Sequence, residues 1–308
     1  MDAAPLRAAG WAVRGALAGE PWLAGADQDQ DPSAGPGSGD GSGSGHAGSY
    51  ATLDDLLSDA HLDAVAVDGD DADLAGRLPA LRAAGLLLLL PTPAPLDAAA
   101  VRDARAVAEP AEAAVGLRAR WQPWALTVAA ALPLVGTPAV QVTVRGWPRG
   151  RGAAAELVDL VASWCGDVAA VAAVPAPLPA DSLPDGCAVS WALLTGSGAT
   201  VLVSHDGPVP QVRLSFATAR LEAGPAGARW TGGAALPLLG LPAWVPPARG
   251  SDPALVATAA ALARARGGAD IPTSQWPWPA DLGDLLVAAR VLEALRTSAR
   301  TERLVPVA

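Results

Sequence analysis

Lysine is absent from this chain of 308 residues, and all 21 of its basic side chains are arginine. The two side chains are not interchangeable, because a lysine ammonium can give up its proton within a protein and a guanidinium cannot. A coding bias toward arginine explains the replacement of surface lysines, but not the loss of a lysine that a reaction needs. The absence therefore excludes chemistry that depends on a lysine of this chain.

Cysteine and histidine are scarce as well, with two and three residues respectively. Cys165 and Cys187 lie far apart, form no C-x-x-C pair and have no histidine nearby at the spacing of metal ligands. We therefore predict buried thiols and no metal site.

Long apolar runs are also missing. The longest unbroken aliphatic run, Leu86–Leu90, is far below the roughly 20 residues that cross a bilayer, so we predict a buried strand there. The first residues contain no compact apolar stretch followed by a cleavage site, which argues against a secretory signal. A net charge of -10 repels phosphate backbones and anionic lipids. We expect a cytoplasmic protein that binds neither nucleic acid nor membranes.

The segment from residue 28 to residue 49 differs in composition from the rest of the chain. Apart from two prolines it has no apolar side chain larger than alanine, and seven glycines fall between Gly35 and Gly48. Such a composition is typical of a flexible linker or disordered surface loop, because it offers nothing to bury.

Helices and strands alternate on both sides of this insert. Thr52 and Asp55 have the spacing of a helix-capping box. The predicted order is a helix over Ala3–Leu17, a strand over Trp22–Ala26, a helix from Thr52, a strand over Leu62–Val67, a helix over Asp71–Ala84, the strand Leu86–Leu90, a helix over Leu96–Val107 and a strand over Ala114–Leu117. Alternation with short connections predicts crossovers and a parallel sheet.

The pattern changes beyond about residue 136. Valines at 140, 142 and 144 alternate with polar residues, as do the apolar residues at 212, 214 and 216, which predicts antiparallel strands with one buried face. Helical spacing covers residues 157–164 and 282–295. We predict domains over residues 1–120 and 121–308, and the last helix, at about residues 281–299, could pack back on the first domain.

Two strands of the second domain, predicted over Cys187–Leu194 and Ala199–Val203, are apolar on both faces. One face of each needs a cover besides the core. A homo-oligomer or partner contact through this sheet explains that pattern, and a covering helix is the alternative.

A familiar series of segments runs from residue 50 to residue 308. It consists of the capped helix, the strand LDAVAV, the helix ending LRAAG, the strand LLLLL, the segment PTPAPLDAAAVRDA and the C-terminal DLGDLLVAARVLEALRTSART. This series resembles the Gfo/Idh/MocA family of oxidoreductases. The resemblance implies an α/β protein with a Rossmann-like parallel sheet domain that binds NAD or NADP, followed by an α+β domain with a large, mostly antiparallel open sheet. It also implies oxidation or reduction of sugars and polyols.

The dinucleotide site implied by the resemblance departs from the family pattern. A glycine-rich turn should follow a first strand and open the first helix, because only glycine lets the backbone approach the pyrophosphate closely. Gly10, Gly15 and Gly19 do not make that turn, and the first strand is not recognised, so either the cradle is lost or it lies upstream of Met1. The resemblance places Asp27 at the adenosine ribose, but we favour the other interpretation, a surface acid that caps the end of a strand.

Two further strand ends complete the cofactor-binding positions that the resemblance implies. Asp68 follows the strand ending at Val67, and Pro91 follows the strand ending at Leu90. The cofactor would be NAD or NADP by resemblance alone, and a chain that binds neither is the other outcome.

The proton-transfer positions depart from the family pattern too. Thr92 stands where the family has the lysine of its Glu-Lys-Pro signature, and a hydroxyl with a pKa far above neutrality is a poor proton shuttle. On the helix that opens the second domain, Gly152 and Glu156 stand where the family has Asp and His, and Asp159 retains a later acid. Thr92, Glu156 and Asp159 are therefore the candidate catalytic residues.

Glu156 and Asp159 lie three residues apart on one helix face. Paired carboxylates can split their pKa values and supply a base, but acids are also favoured in the first turns of a plain amphipathic helix. We favour the second interpretation. Ser204, His205 and Asp206 are consecutive, so on a strand they point to opposite faces and cannot form one hydrolytic site.

Two hypotheses follow for the activity. The one that we favour is a family member with degenerate sites that has lost hydride transfer and serves as a binding or partner subunit, with a small sugar-like molecule as its ligand. The other is an active NAD(P)-dependent oxidoreductase with a rearranged proton-transfer site. Saturable binding of NADH or NADPH would discriminate them.

Overall fold

The computed structural model describes residues 11–17, 22–27, 48–59, 62, 64–67, 74–90, 98–107, 113–135, 138–148, 151–174, 190–232 and 280–307. The chain divides into two compact units. The described residues of the first unit are those up to Gly116 together with residues 280–283, and the remainder belong to the second.

The first unit is built on a six-stranded sheet. Its strands are β1 (Trp11–Leu17), β2 (Trp22–Asp27), β3 (Gly48–Tyr50), β4 (Ala64–Val67), β5 (Leu87–Leu90) and β6 (Ala113–Val115). Their order across the sheet is β3-β1-β2-β4-β5-β6. The described helices are α1 (Leu53–Leu57), α2 (Leu74–Ala83) and α3 (Ala98–Val107). This is the predicted α/β alternation, and β4, β5 and β6 are parallel as expected.

The other half of this sheet corrects two predictions. The helix predicted over Ala3–Leu17 is wrong for its described part, because Trp11–Leu17 forms β1. The sheet is mixed, since β1 pairs antiparallel with β2, and β2 pairs antiparallel with β4. A segment rich in alanine and glycine has weak periodicity, so pairing with neighbouring strands decides its conformation. Residues 3–10 lie outside the described part of the chain.

The capping box at the start of α1 is confirmed. The Thr52 hydroxyl accepts from the backbone N–H of Asp55 at 3.1 Å, and the Thr52 backbone N–H donates to the Asp55 carboxylate at 3.0 Å. These two bonds satisfy donors that the first turn of a helix leaves unpaired. The core of the first unit is aliphatic, with Leu56, Val65, Leu81, Leu88 and Val101 almost fully buried.

The second unit contains an eight-stranded sheet and three α-helices among its described residues. The strands are β7 (Gln141–Arg145), β8 (Val168–Val174), β9 (Ser190–Thr195), β10 (Thr200–Ser204), β11 (Gln211–Ser215), β12 (Ala219–Gly224), β13 (Gly227–Gly232) and β14 (Val305–Pro306). The helices are α4 (Pro123–Val135), α5 (Arg151–Cys165) and α6 (Leu282–Thr301). The strand order is β13-β12-β11-β7-β10-β9-β8-β14, and every pair except β7 with β10 is antiparallel, as predicted.

One face of this sheet is buried under helices. Alternate strand residues, among them Val142, Val144 and Leu214, share a core with residues of α4, α5 and α6. Trp124 packs edge-on against both Trp147 and Trp164, with ring centroids 6.3 and 6.1 Å apart. The opposite face carries the intervening residues of the same strands, and we call it the open face.

The predicted thiol and membrane features can be compared with the structure. Cys165 is buried and free at the end of α5, and Cys187 lies outside the described residues. Among the helices that the structure describes, none has the length and apolar character needed to span a membrane.

Candidate functional site

Helix α5 carries the two acids that the sequence singled out. Its apolar stripe, which includes Leu157 and Leu160, is buried in the core of the second unit. Asp159 is only 5% exposed, whereas Glu156 is half-buried. The two acids therefore have different environments despite their spacing of one helical turn.

Arg120 binds Asp159 through two parallel hydrogen bonds. Its Nε donates to Oδ2 at 2.9 Å, and a terminal nitrogen donates to Oδ1. The same terminal nitrogen also lies 3.2 Å from a carboxylate oxygen of Asp284, at the start of α6. Arg120 comes from the 3-10 turn Arg118–Trp121, so one guanidinium joins three segments of the second unit. Sequence reasoning missed Arg120 as the partner of Asp159, because 39 residues separate them.

Burial and ion pairing act in opposite senses on the two groups. Burial raises the pKa of Asp159, and the hydrogen bonds and positive charge of Arg120 oppose that rise. Burial also disfavours the charged form of Arg120, but the carboxylates of Asp159 and Asp284 outweigh it and raise the pKa of the guanidinium. Burial is the larger effect on Asp159, so its pKa is raised overall, and the nearby charge of Asp284 adds to the rise. The two hydrogen bonds from the guanidinium favour the ionised carboxylate and limit that rise.

The geometry limits what Asp159 can do chemically. A general base needs a lone pair within about 3 Å of the proton that it removes. Both oxygens of Asp159 already accept from Arg120, and the side chain is 3% exposed. The arrangement is therefore that of a structural ion pair, which ties α5 to the 3-10 turn.

The other predicted catalytic positions have different outcomes. Glu156 is half-buried and has an interaction of its own within the chain, and Gly152 is half-buried in the first turn of α5. Thr92 lies outside the described residues. The structure therefore brings Arg120 and Asp284 to Asp159, and the assignment of Thr92, Glu156 and Asp159 to catalysis stays a prediction.

The predicted cofactor-binding positions are described only at Asp27. Its backbone closes β2 and pairs with Trp11 of β1. Asp68 and Pro91 lie outside the described residues.

The first two strands do not provide the expected dinucleotide cradle. A pyrophosphate is held where a strand leads through a glycine turn into a helix, because the N–H groups at the helix start point toward it. Here β1 and β2 are antiparallel neighbours joined by residues 18–21. Four residues are too few for a crossover helix, which with its loops needs about a dozen.

One glycine pattern escaped the sequence interpretation. Gly43, Gly45 and Gly48 have the G-x-G-x-x-G spacing. The last of them opens β3, a strand parallel to β1, and not a helix. Residues 43–47 lie outside the described part of the chain. Among the described residues, neither β1 nor β3 therefore shows a glycine turn that leads into a helix.

The structure pairs the side chains of Ser204 and Asp206 and gives His205 other partners. The Ser204 hydroxyl donates to the Asp206 carboxylate at 3.0 Å, so the serine and aspartate pair with each other. His205 Nδ1 donates to the carbonyl oxygen of Trp147 at 2.8 Å, and its Nε2 accepts from the Trp191 indole at 3.3 Å. Both ring nitrogens are thus used in packing. Within the described residues there is no group of three His, Cys, Asp or Glu side chains that could hold a metal ion.

Comparisons with known proteins give a clear result for the fold alone. No family model matches the chain, and no curated protein matches its sequence. Solved structures do match. The WlbA dehydrogenase from Bordetella pertussis, in complex with NADH and UDP-GlcNAcA, is 16% identical over 85% of this chain and 84% of that chain, with a TM-score of 0.63.

Two more solved structures agree with this match. Aldose-aldose oxidoreductase from Caulobacter crescentus is 18% identical over 84% of this chain and 83% of that chain, with a TM-score of 0.61. Levoglucosan dehydrogenase in complex with NADH is 15% identical over 84% of each chain, with a TM-score of 0.59. The chain therefore shares the α/β fold of these solved oxidoreductases, which is the fold class that the sequence resemblance predicted.

Proposed function

We propose that this chain keeps the fold of a sugar dehydrogenase without its nicotinamide-dependent hydride transfer, and that it acts as a binding or partner subunit in the cytoplasm. The observation that carries the proposal is the state of Asp159. The retained acid of α5 is buried with both oxygens bound by Arg120, so it is not available as a base. The chain also has no lysine for the family's proton relay.

The chemistry explains why this observation matters. Oxidation of an alcohol by a nicotinamide cofactor removes a hydride from carbon and a proton from the hydroxyl, so a base must face the substrate. The antiparallel pairing of β1 with β2 supports the same proposal, because that hairpin offers no helix start to a pyrophosphate.

An active NAD(P)-dependent oxidoreductase of sugars or polyols is the second candidate. Its support is the likeness over more than four-fifths of each chain to dehydrogenases solved with NADH. In that case the base would be Glu156, which is half-buried on α5 and is closer to solvent than Asp159. If the chain is instead a binding subunit, as we propose first, a small sugar-like molecule remains a candidate ligand.

Titration with NADH and with NADPH, followed by nicotinamide fluorescence and calorimetric heat, tests the proposal. We expect no saturation up to millimolar concentrations. Two results together would overturn it: saturable binding at micromolar concentrations, and turnover of a sugar or polyol that Glu156→Gln abolishes. Asp159→Asn, which leaves the chain folded, is the comparison variant. Binding of NADH or NADPH without turnover would support the proposed loss of catalysis and contradict the proposed loss of cofactor binding.

The partner surface that we propose is the apolar half of the open face, and its occupant is a second copy of the chain. Leu194 on β9 and Leu202 on β10 are 41% and 40% exposed, and Leu202 lies opposite Ala192 in the sheet register. The chain has a net charge of -10, so an exposed apolar patch on it needs an apolar partner surface. The same patch on another copy is such a surface, because a two-fold interface uses the same patch of both subunits.

A further inference from the structure

A cavity of about 350 Å³ opens on the open face of the second sheet, away from α5 and from the residues discussed above. It lies over β7, β11, β12 and β13. Its polar lining consists of Thr143, Arg145, Gln211, Arg213, Glu222 and Arg229. A volume of this size suits a small molecule rather than a single ion.

Sheet register explains why these side chains converge. Arg213 on β11 lies directly opposite Thr143 on β7 and Glu222 on β12, and Glu222 lies directly opposite Arg229 on β13. Neighbouring strands are about 4.8 Å apart, so the two arginines flank the glutamate on one face. Arg145 pairs with Gln211 one step further along the strands, within reach of Arg213 as a diagonal neighbour.

The hydrogen-bonding capacity of this cluster is largely unused. Arg213 donates through Nε to Glu222 at 2.9 Å, and its terminal nitrogens have no partner within the described part of the chain. The side chains of Arg145 and Arg229 likewise make no hydrogen bond or ion pair with another described residue. A guanidinium presents five N–H donors, so the three arginines line the cavity with donors that have no acceptor within the described part of the chain.

The charge of the lining is opposite to that of the whole chain. Three guanidinium groups against one carboxylate leave a formal excess of two positive charges on a chain with a net charge of -10. Like charges on adjacent strands repel one another, and a bound anion would relieve that repulsion.

We propose that this cavity is a binding site for a small molecule that carries a phosphate group. A phosphate monoester has a charge of about -1.5 to -2 at neutral pH and three acceptor oxygens, which matches the excess charge and the free donors. Guanidinium groups bind such oxyanions through paired hydrogen bonds. The remaining volume would hold the organic part of the ligand. This inference does not rest on the proposed loss of hydride transfer.

Calorimetric titration with inorganic phosphate at pH 8 and low ionic strength tests the site. We expect saturable binding of one phosphate per chain. Arg145→Gln and Arg229→Gln should each weaken that binding by about tenfold, the effect of losing a charge-assisted hydrogen bond. Arg220→Gln is the matched control, because Arg220 is exposed on the same face of β12 and does not line the cavity. It removes the same charge and should change binding less than twofold.

Glu222→Gln should strengthen phosphate binding, an effect that damage to the fold would not produce. It removes the one carboxylate of the lining, so phosphate should bind about threefold to tenfold more tightly. Failure of the wild-type chain to saturate with phosphate would overturn the proposal. Equal weakening of phosphate binding by the Arg220 and Arg229 variants would also overturn it. The same holds if Glu222→Gln leaves phosphate binding unchanged or weakens it, or if the chain saturates with the dicarboxylate malonate and not with phosphate.

Discussion

Arg120 and Asp159 form a buried ion pair in which two nitrogens of the guanidinium each donate to a different oxygen of the carboxylate. Asp284 shares the same guanidinium at 3.2 Å. The pair places an acid that could have served as a base inside the framework of the second unit. Its energetic role can be separated from any catalytic one.

Arg120→Met should destabilise the protein by about 3 to 5 kcal/mol, because it leaves the Asp159 carboxylate buried without a counter-charge. Burial then raises the pKa of Asp159 with no partner to oppose it. The native chain would bind more protons than the unfolded chain, so the free energy of unfolding of this variant should rise as pH falls. Urea denaturation between pH 5 and pH 8 measures both effects.

The double variant Arg120→Met with Asp159→Leu is the control for that experiment. It removes both charges, so it should recover most of the lost stability. A double variant as unstable as the single one would show that the guanidinium stabilises the fold through other contacts.

Because of Cys165, the free energy of unfolding of the protein should fall at alkaline pH. Burial raises the pKa of its thiol from the ordinary 9.0 to about 11. Between these values the unfolded chain has lost the proton and the native chain keeps it, so the free energy of unfolding falls as pH rises. The expected loss is about 1 to 2 kcal/mol across this window. Cys165→Ala should flatten this part of the profile, and an identical slope in the variant would exclude the thiol as its cause.

Alanine substitutions at Gly146 and Gly166 distinguish the cost of steric overlap from the cost of backbone strain. Both have positive φ, 63° and 81°. A Cβ at Gly146 would overlap the carbonyl of Val209, whereas one at Gly166 would have no neighbour within 4 Å. Gly166→Ala should cost about 1 kcal/mol, the penalty of the left-handed conformation alone. Gly146→Ala should cost clearly more in thermal denaturation. Similar losses would mean that the Val209 segment moves aside freely.

The proposed contact between copies predicts a change in molar mass. Leu202→Glu should convert a self-associated protein to monomer, because a charge would be buried in an apolar contact. Leu134 on α4 is 54% exposed and lies off the sheet, so Leu134→Glu is the matched control and should leave the mass unchanged. Light scattering after size-exclusion chromatography measures both. A wild-type chain that elutes as a monomer would contradict the proposed contact.

Local patterns in the sequence predicted the local structure well. Thr52 and Asp55 specified the start of α1, because a capping box involves residues only three positions apart. The alternation at Val142 and Val144 predicted β7, because side chains on a strand point to opposite faces in turn. The segment Trp11–Leu17 was predicted as a helix and is a strand, since its conformation depends on partners elsewhere in the chain.

The sequence by itself determined the α/β class, most elements and the missing lysine, because propensity, periodicity and composition are local properties. Only the tertiary structure decided that Asp159 is bound by Arg120 and that three arginines from three strands line one cavity with Glu222. Those relationships depend on helix packing and strand register, which bring together residues that are distant in the chain and which no local pattern encodes.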